Sequence, residues 1–142
     1  MNKTRTTAAI FIAVVMFGSA ILHLYWVLGG EWFLATAAGE VSYKMSTQLK
    51  VLTWVIVPLM LLAIYLALGR IGVCKIIIPQ KFYAFSLWVF TACMFGGVVL
   101  NVLTPRFWDR YVFASIFLML AISGLILALP YARNDSAPNR EL

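Results

Sequence analysis

Residues 8–32 read AAIFIAVVMFGSAILHLYWVLGGEW, and this stretch decides the fold. From Ala8 to Leu28 it contains no Asp, Glu, Lys or Arg. About 20 such residues form a helix that crosses the roughly 30 Å hydrocarbon core of a bilayer. Gly29 and Gly30 close the run, and glycine is the usual residue at the C-terminal stop of a helix. The stretch therefore predicts a membrane-spanning helix over residues 8–29.

The whole chain has the composition of a membrane protein. Of its 142 residues, 63% are hydrophobic and 11% are charged, whereas about 25% are charged in a typical soluble domain. Too few polar side chains remain to cover a water-soluble surface. Three further apolar runs predict an all-α fold, a four-helix transmembrane bundle with spans at about residues 8–29, 51–69, 82–103 and 106–129. Residues 1–130 are predicted to form a single integral membrane domain, and residues 131–142 a disordered polar cytoplasmic tail.

The distribution of basic residues predicts the orientation. Four spans place both termini on one side, where seven basic residues lie: Lys3, Arg5, Arg70, Lys75, Lys81, Arg133 and Arg140. The other side has four: Lys44, Lys50, Arg106 and Arg110. Because cytoplasmic loops carry the excess of Lys and Arg, we expect a multi-pass protein of a cell inner (plasma) membrane with both termini in the cytoplasm.

The partners follow from the same charges. The net charge of +6 does not indicate nucleic-acid binding, because the basic residues are scattered through short loops and tails and form no stripe. The expected partners are membrane lipids, with a second copy of the chain or another membrane protein as a further candidate. Small residues at i,i+4 in the third span, Ala92/Gly96 and Cys93/Gly97, permit close helix approach within or between chains.

Several mechanisms are disfavoured by what the spans contain. No Asp, Glu, Lys or Arg lies in the middle of a predicted span, whereas proton-coupled transport generally needs an ionisable group there. No nucleophile triad, P-loop, Cys-x-x-Cys or dinucleotide fingerprint appears, so no catalytic residue or cofactor is assigned. A metal site is not expected, because His23, the only histidine, has no second His, Asp or Glu at ligand spacing.

Polar and aromatic residues near the outer end of the predicted bundle form a candidate ligand-binding site: His23, Tyr25, Trp26, Trp32, Asn101, Asp109 and Arg110. His23 and Asn101 are expected at similar depth, so a hydrogen bond between them would satisfy both at roughly 1 kcal/mol. A pair that faces a ligand is the alternative. Asp109 pairs with Arg106 at i,i+3, either as an exposed salt bridge or as a charged rim above the site.

The aromatic residues near the outer surface have two interpretations as well. They form an interfacial belt, or they line a pocket if several point inward: Tyr25, Trp26, Trp32, Trp54, Trp108 and Tyr111.

Two classes of function stay open at this point. The favoured one is a non-catalytic membrane module that binds a lipid, a small hydrophobic molecule or a partner helix at the outward-facing site. The alternative is a small membrane-embedded enzyme or carrier that uses His23, with Asn101 and the Asp109/Arg110 rim as its polar contacts.

The string His23-x-Tyr25-Trp26-x-x-Gly29-Gly30-x-Trp32 resembles a signature of the small bacterial four-helix membrane proteins grouped as domain of unknown function 3995. The family also has an aspartate-containing start of its fourth helix, to which Phe107-Trp108-Asp109-Arg110-Tyr111 is similar. Where the family continues with Tyr-Ser-Pro, this chain has Phe113-Ala114-Ser115. An arginine often found in the family's third helix is absent here. The resemblance implies an integral membrane protein to which no activity is assigned.

Overall fold

The computed structural model describes residues 2–32, 47–75 and 77–129, and its regular elements in these ranges are all helical. The helices are α1 (Lys3–Val27), α2 (Thr47–Arg70), α3 (Gln80–Leu103) and α4 (Ala114–Ala128), with a π-helical segment, Trp108–Phe113, leading into α4. The described part contains four helical spans long and apolar enough to cross a membrane. The predicted all-α four-helix fold is confirmed. The predicted tail, residues 131–142, lies outside the described residues.

Helix α1 begins earlier than predicted because Asn2 caps it. The Thr4 amide donates to Asn2 Oδ1 at 3.0 Å, and the Thr6 hydroxyl donates to the Asn2 carbonyl at 3.2 Å. An asparagine at this position satisfies one of the amide groups that a helix N-terminus leaves without an intrahelical partner. The hydroxyl-rich start of the chain is therefore part of the first helix.

The end of α2 is also set by local hydrogen bonds. The Gly72 amide donates to the Gly69 carbonyl at 3.1 Å, and the Val73 amide donates to the Leu68 carbonyl at 3.1 Å. This pair of bonds is a Schellman motif, which requires a left-handed residue at its centre. Gly72, with a φ of +80°, supplies it. The chain then turns into the short connection to α3.

The helices pack most extensively in two pairs, α1 with α2 and α3 with α4. Helix α1 also packs on α4, whereas α2 and α3 touch less and α1 and α3 make little contact. One end of the bundle holds the start of α1 and the end of α2, and is called the arginine end for Arg5 and Arg70. The opposite end holds the end of α1 and the π-helical segment, and is called the tryptophan end for Trp26 and Trp108.

The continuous hydrophobic core lies toward the arginine end. It is formed by Ala8, Ala9, Ile12, Met16, Ala63, Leu66, Ala67, Tyr83, Leu87, Leu120, Leu127 and Ala128. Many of these residues are alanines, which let helix backbones approach closely, and close van der Waals packing drives helix association where lipid replaces water. The continuous core therefore lies at the end of the bundle away from residues 23–32, which carry the resemblance described above.

Large apolar side chains cover most of the outside of the bundle. Leu28 is 85% exposed, Leu103 72% and Leu100 70%. A soluble monomer rarely exposes apolar patches of this extent, whereas lipid chains cover them without a cost. The surface thus agrees with the membrane environment that the composition indicates.

Two glycines, Gly97 and Gly124, permit the close packing of α3 on α4. The sequence analysis left open whether the small residues of the third span serve packing within the chain or between chains. A Cβ on Gly97 would overlap the Phe117 ring, and one on Gly124 would lie 2.7 Å from Thr91 Oγ1. A Cβ on Gly96 would meet no atom within 4 Å, and Ala92 beside it is exposed. Gly97 thus serves packing within the chain, while the Ala92/Gly96 side is uncovered.

We expect Gly124→Ala to lower the free energy of unfolding by about 1–3 kcal/mol, the usual effect of overpacking. Thr91 is buried and its hydroxyl donates to the Leu87 carbonyl at 2.8 Å, so it has little room to move away. Gly96→Ala is the matched control, and it should be neutral or stabilising by up to about 1 kcal/mol through helix propensity. Thermal denaturation of the detergent-solubilised protein measures both, and equal effects would contradict the packing.

Candidate functional site

Helix α1 ends in a second Schellman motif, within residues 23–32 that carry the resemblance described above. The Gly29 amide donates to the Trp26 carbonyl at 3.0 Å, and the Gly30 amide donates to the Tyr25 carbonyl at 2.9 Å. Gly29 has a φ of +100°, a conformation that side chains with a Cβ rarely adopt. The predicted helix stop at Gly29-Gly30 is confirmed.

Tyr25, Trp26 and Trp32 pack around this turn. Trp26 is buried, and its indole Nε1–H donates to the Trp32 carbonyl at 2.8 Å. The Tyr25 ring covers Gly30 so closely that a Cβ there would overlap the ring. The indole bond ties the chain after the turn back to the helix. Together Tyr25, Trp26, Gly29, Gly30 and Trp32 form a unit that we call the α1 clasp.

His23 lies two residues before Tyr25, the first residue of the α1 clasp, and forms a hydrogen bond within its own helix. Its Nδ1 lies 2.8 Å from the Ser19 carbonyl oxygen, and a carbonyl can only accept, so Nδ1 carries the proton. The ring is half-buried and stacks at a tilt against Trp26, with centroids 5.2 Å apart. This bond uses Nδ1 and leaves the other ring nitrogen, Nε2, for a ligand.

Asn101 is satisfied in the same way on α3. It is half-buried, and its Nδ2 donates to the Gly97 carbonyl at 2.7 Å. The predicted hydrogen bond between His23 and Asn101 is therefore wrong, although both residues lie toward the tryptophan end. A carbonyl four residues earlier is always within reach of a short polar side chain, whereas α1 and α3 are poorly connected.

Asp109 lies in the π-helical segment, which the sequence did not reveal. The Ala114 amide donates to the Asp109 carbonyl five residues earlier, the spacing of a π-helix. Asp109 is 3% exposed, and its Oδ2 lies 2.5 Å from Arg106 Nη2. Oδ2 has no hydrogen bond of acceptable geometry in the described part of the chain. The predicted pairing with Arg106 is confirmed, but the carboxylate is buried, so the pair is not the exposed salt bridge considered above.

Arg110 holds the π-helical segment to α3. Its Nε donates to the Val102 carbonyl at 3.1 Å, near the end of that helix. The nearby aromatic rings point outward: Tyr111 is exposed and lies 5.0 Å from the Phe107 ring. Of the six aromatic residues of the predicted belt, five are exposed and Trp26 is buried. This arrangement fits a belt and not an inward-facing pocket.

The candidate residues thus fall into two groups, which lie on different helices. His23 belongs with the α1 clasp, while Asp109 and Arg110 belong with the π-helical segment and α3. In residues 2–32, 47–75 and 77–129, no cluster of three or more His, Cys, Asp or Glu side chains is placed to hold a metal ion. Whether any of the seven candidates binds a ligand stays a prediction.

Two open grooves mark the surface near the tryptophan end. The first, of about 440 Å³, is lined by Gly18, Ile21, Leu22, Tyr25 and Trp32, and we call it the α1 groove. The second, of about 470 Å³, runs along the start of α2 and is lined by Thr47, Gln48, Val51, Leu52 and Val55. Both are mainly apolar. Tyr25 and Trp32 of the candidate set line the α1 groove, and His23 does not.

A polar network at the arginine end was missed by the sequence analysis. Arg70 and Arg5 donate to carbonyls at the end of α4, and the Tyr83 hydroxyl donates to the Leu66 carbonyl at 2.5 Å across helices. The sequence signal was an arginine in the last turn of an apolar helix, a position suited to contact with helix-end carbonyls. In the sequence analysis, Arg5 and Arg70 were used only to predict the orientation of the chain in the membrane.

Comparison of the chain with protein-family models, curated proteins and solved structures gave no match. The resemblance to domain of unknown function 3995 therefore stays a prediction. The structure adds a physical role for five of the residues that carry the resemblance, because Tyr25, Trp26, Gly29, Gly30 and Trp32 form the α1 clasp.

We expect Gly29→Ala and Gly30→Ala each to loosen the α1 clasp. The first forces alanine into a left-handed conformation, which costs roughly 1–2 kcal/mol, and the second pushes the Tyr25 ring off the turn. Hydrogen exchange of the amides of residues 28–32, read by mass spectrometry, should accelerate in both variants. Gly18→Ala is the control, since a Cβ there meets no atom within 4 Å. Unchanged exchange in both glycine variants would contradict the clasp.

Proposed function

We propose that this protein is a non-catalytic membrane module that holds the hydrocarbon chain of a lipid or another amphiphile in the α1 groove. The observation that carries the proposal is the groove itself. Gly18 lines the groove, and nothing lies within 4 Å of where its Cβ would be, so the groove is open at this residue. Ile21 and Leu22 add apolar walls. Its volume of about 440 Å³ lies within the range of about 300–1,000 Å³ common for small-molecule sites, and its apolar lining suits an acyl chain.

The rim of the α1 groove supports an amphiphile over a purely apolar occupant. Tyr25 and Trp32 line its outer part and are 44% and 71% exposed. Both side chains combine an apolar ring with a polar atom, the property that places them at the level of lipid headgroups. Their backbone is held by the α1 clasp, so the rim is preformed. The acyl chain of a lipid or small amphiphile would thus contact Ile21 and Leu22, and its polar end would lie near the Tyr25 and Trp32 rings.

The described polar residues support binding over catalysis. His23 Nδ1, Asn101 Nδ2 and Arg110 Nε are each engaged by a backbone carbonyl, and Asp109 pairs with Arg106. A general acid or base needs a second group or a substrate within hydrogen-bond reach. The bonds described for His23, Asn101, Asp109 and Arg110 go to other residues and do not pair these side chains with one another. The alternative, a small enzyme or carrier that uses His23, rests on one observation: the bond of His23 to the Ser19 carbonyl uses Nδ1 and leaves Nε2 for a ligand.

We further propose a bacterial inner membrane as the location, with both termini cytoplasmic. Arg5 at the start of α1 and Arg70 at the end of α2 both donate to carbonyls at the end of α4. These three helix ends therefore lie together at the arginine end. That end carries the basic excess in the sequence, which favours the cytoplasmic side. Partner proteins and a homo-oligomer remain proposals of lower rank, because the exposed faces suit lipid equally well.

Photolabelling tests the α1 groove. Protein in nanodiscs is irradiated with a phospholipid that carries a diazirine in its acyl chain, and the labelled peptides are mapped by mass spectrometry. Residues 18–32 should be labelled more heavily than the exposed stretch 99–103 of α3. Gly18→Leu should reduce that labelling several-fold because it fills the groove, whereas Gly96→Leu, also at an open glycine, should not.

Two results would contradict the lipid proposal. Equal labelling of both stretches would make the groove ordinary lipid-facing surface, and crosslinks between protein chains at residues 18–32 would favour a partner helix. His23→Gln should leave the labelling unchanged. A loss caused by His23→Gln, with Gly18→Leu silent, would favour the alternative that uses His23.

The orientation predicts the outcome of reporter fusions. A reporter active only in the cytoplasm should be active at the C-terminus and inactive when inserted within residues 35–45, because an odd number of spans separates the two sites. A cytoplasmic signal from the insertion would contradict the proposed orientation. Alkaline phosphatase at the same two sites should give the reverse pattern, which controls for expression.

A further inference from the structure

The connection between α2 and α3 is tied to the side of α2. We call its described residues, 71–75 and 77–79, the α2–α3 loop. The Tyr65 hydroxyl donates to the Lys75 carbonyl at 3.1 Å and accepts a hydrogen bond from the Ile77 amide at 2.8 Å. One side chain of α2 thus holds the loop backbone at two points.

The position of Tyr65 within α2 shows the level at which the loop lies. Tyr65 precedes Arg70, the last residue of α2, by five positions, which is roughly 7.5 Å along the helix axis. Side chains on a helix also lean toward its N-terminus, and α2 begins at the tryptophan end. The Cys74 thiol donates to the Tyr65 carbonyl at 3.5 Å, a third contact at this level. The loop therefore folds back beside the last turns of the α2 span.

The apolar side chains of the loop divide into an inward and an outward set. Ile71 and Ile78 pack against the hydrophobic core. Val73 and Ile77, in contrast, are 66% and 87% exposed. Apolar side chains gain free energy when they leave water for an apolar surrounding, and lipid lies beside a membrane span. The outward set thus suits the boundary between the acyl chains and the headgroups.

The hydrogen bonds of the loop make contact with lipid possible. Backbone groups outside a helix are tolerated at membrane depth only where the protein satisfies them. The Tyr65 hydroxyl satisfies the Lys75 carbonyl and the Ile77 amide. The Val73 amide donates to the Leu68 carbonyl at 3.1 Å, in the Schellman motif that ends α2. These backbone groups therefore need no water.

The charge of this region favours anionic lipid. Residues 70–81 contain no acid, and Lys75 in the loop and Lys81 at the start of α3 are exposed. Among the described residues, no carboxylate pairs with either lysine. Lysine side chains near the ends of spans reach the headgroup level. A lysine close to an anionic bilayer surface favours the bound state by about fivefold.

We propose that the α2–α3 loop inserts into the leaflet at the arginine end and binds anionic phospholipid there. Val73 and Ile77 contact the upper part of the acyl chains, while Lys75 and Lys81 contact lipid phosphates. The surface is separate from the α1 groove, which lies toward the opposite end of the bundle. The insertion requires neither an occupied α1 groove nor a particular orientation of the chain in the membrane.

A spin label on the loop tests the insertion. The label is attached at Val73→Cys in the full chain, with Cys74→Ser and Cys93→Ala so that it is the single label, and the protein is placed in phospholipid vesicles. Collisions with oxygen, which concentrates in the acyl region, are compared with collisions with an uncharged nickel chelate, which stays in water. The same label on Cys93, exposed near the middle of α3, is the lipid-facing reference.

Oxygen should collide with the label at residue 73 more often than the nickel chelate does, as at Cys93. More frequent collisions with the nickel chelate would place the loop in water and overturn the proposal. Tyr65→Phe removes the hydroxyl that holds the loop, so it should lower the ratio of oxygen to nickel collisions severalfold. Tyr111→Phe is the matched control and should leave the ratio unchanged, because the Tyr111 hydroxyl forms no hydrogen bond within the described residues.

Lipid charge tests the lysines. Replacing half of the phosphatidylcholine in the vesicles by phosphatidylglycerol should raise the ratio of oxygen to nickel collisions severalfold, and Lys75→Gln should remove most of this rise. Lys50→Gln removes the same charge near the start of α2 and should leave the rise intact. Circular dichroism and size-exclusion chromatography establish that each variant is folded. The absence of a rise with phosphatidylglycerol, or the same loss in Lys50→Gln as in Lys75→Gln, would overturn the proposal.

Discussion

The structure depends on one constraint: within an apolar solvent, each polar group needs a partner that the chain itself supplies. Backbone groups find theirs in the helices. Polar side chains within the helices use the carbonyl four residues earlier: His23, Thr53, Ser86, Thr91, Asn101 and Ser115. Because these bonds stay within one helix, they do little to join helices. Association of the helices is left to packing and to groups at their ends.

Packing and end contacts are distributed unevenly along the bundle. Toward the arginine end, alanines form a tight core, and Arg5, Arg70 and Tyr83 bond to carbonyls of other helices. Toward the tryptophan end, the polar contacts described above hold a helix end to a neighbouring segment, as in the α1 clasp and at Arg110. The arginine end thus acts as the structural anchor of the bundle, and the tryptophan end carries the preformed grooves.

The structural roles of these residues differ from those that residue type alone suggests. His23, the only histidine, is the conventional first choice for a functional residue, yet it is bonded to its own helix and lies outside the groove lining. Gly18 has no functional side chain and yet lines the α1 groove. The arginines, which the sequence analysis used to assign sides of the membrane, instead form the densest polar contacts between helices.

Much of the fold was determined by the sequence alone. The number of helices, their approximate bounds, the stop at Gly29-Gly30 and the pairing of Arg106 with Asp109 all follow from apolar run length, glycine chemistry and i,i+3 spacing. These are local properties, set by residues within one or two turns of each other. They need no knowledge of which helices are neighbours.

Which side of each helix faces inward was decided only by the tertiary structure. A soluble helix reveals its inner face by a polar outer one, but these helices are apolar on all sides because lipid takes the place of water. The burial of Trp26 and Asp109, the exposure of Gly18 and Gly96, and the separation of His23 from Asn101 therefore had no periodic signal. The convergence of Arg5 and Arg70 on Leu129 also required the order of helices around the bundle, since those residues are more than 50 positions apart.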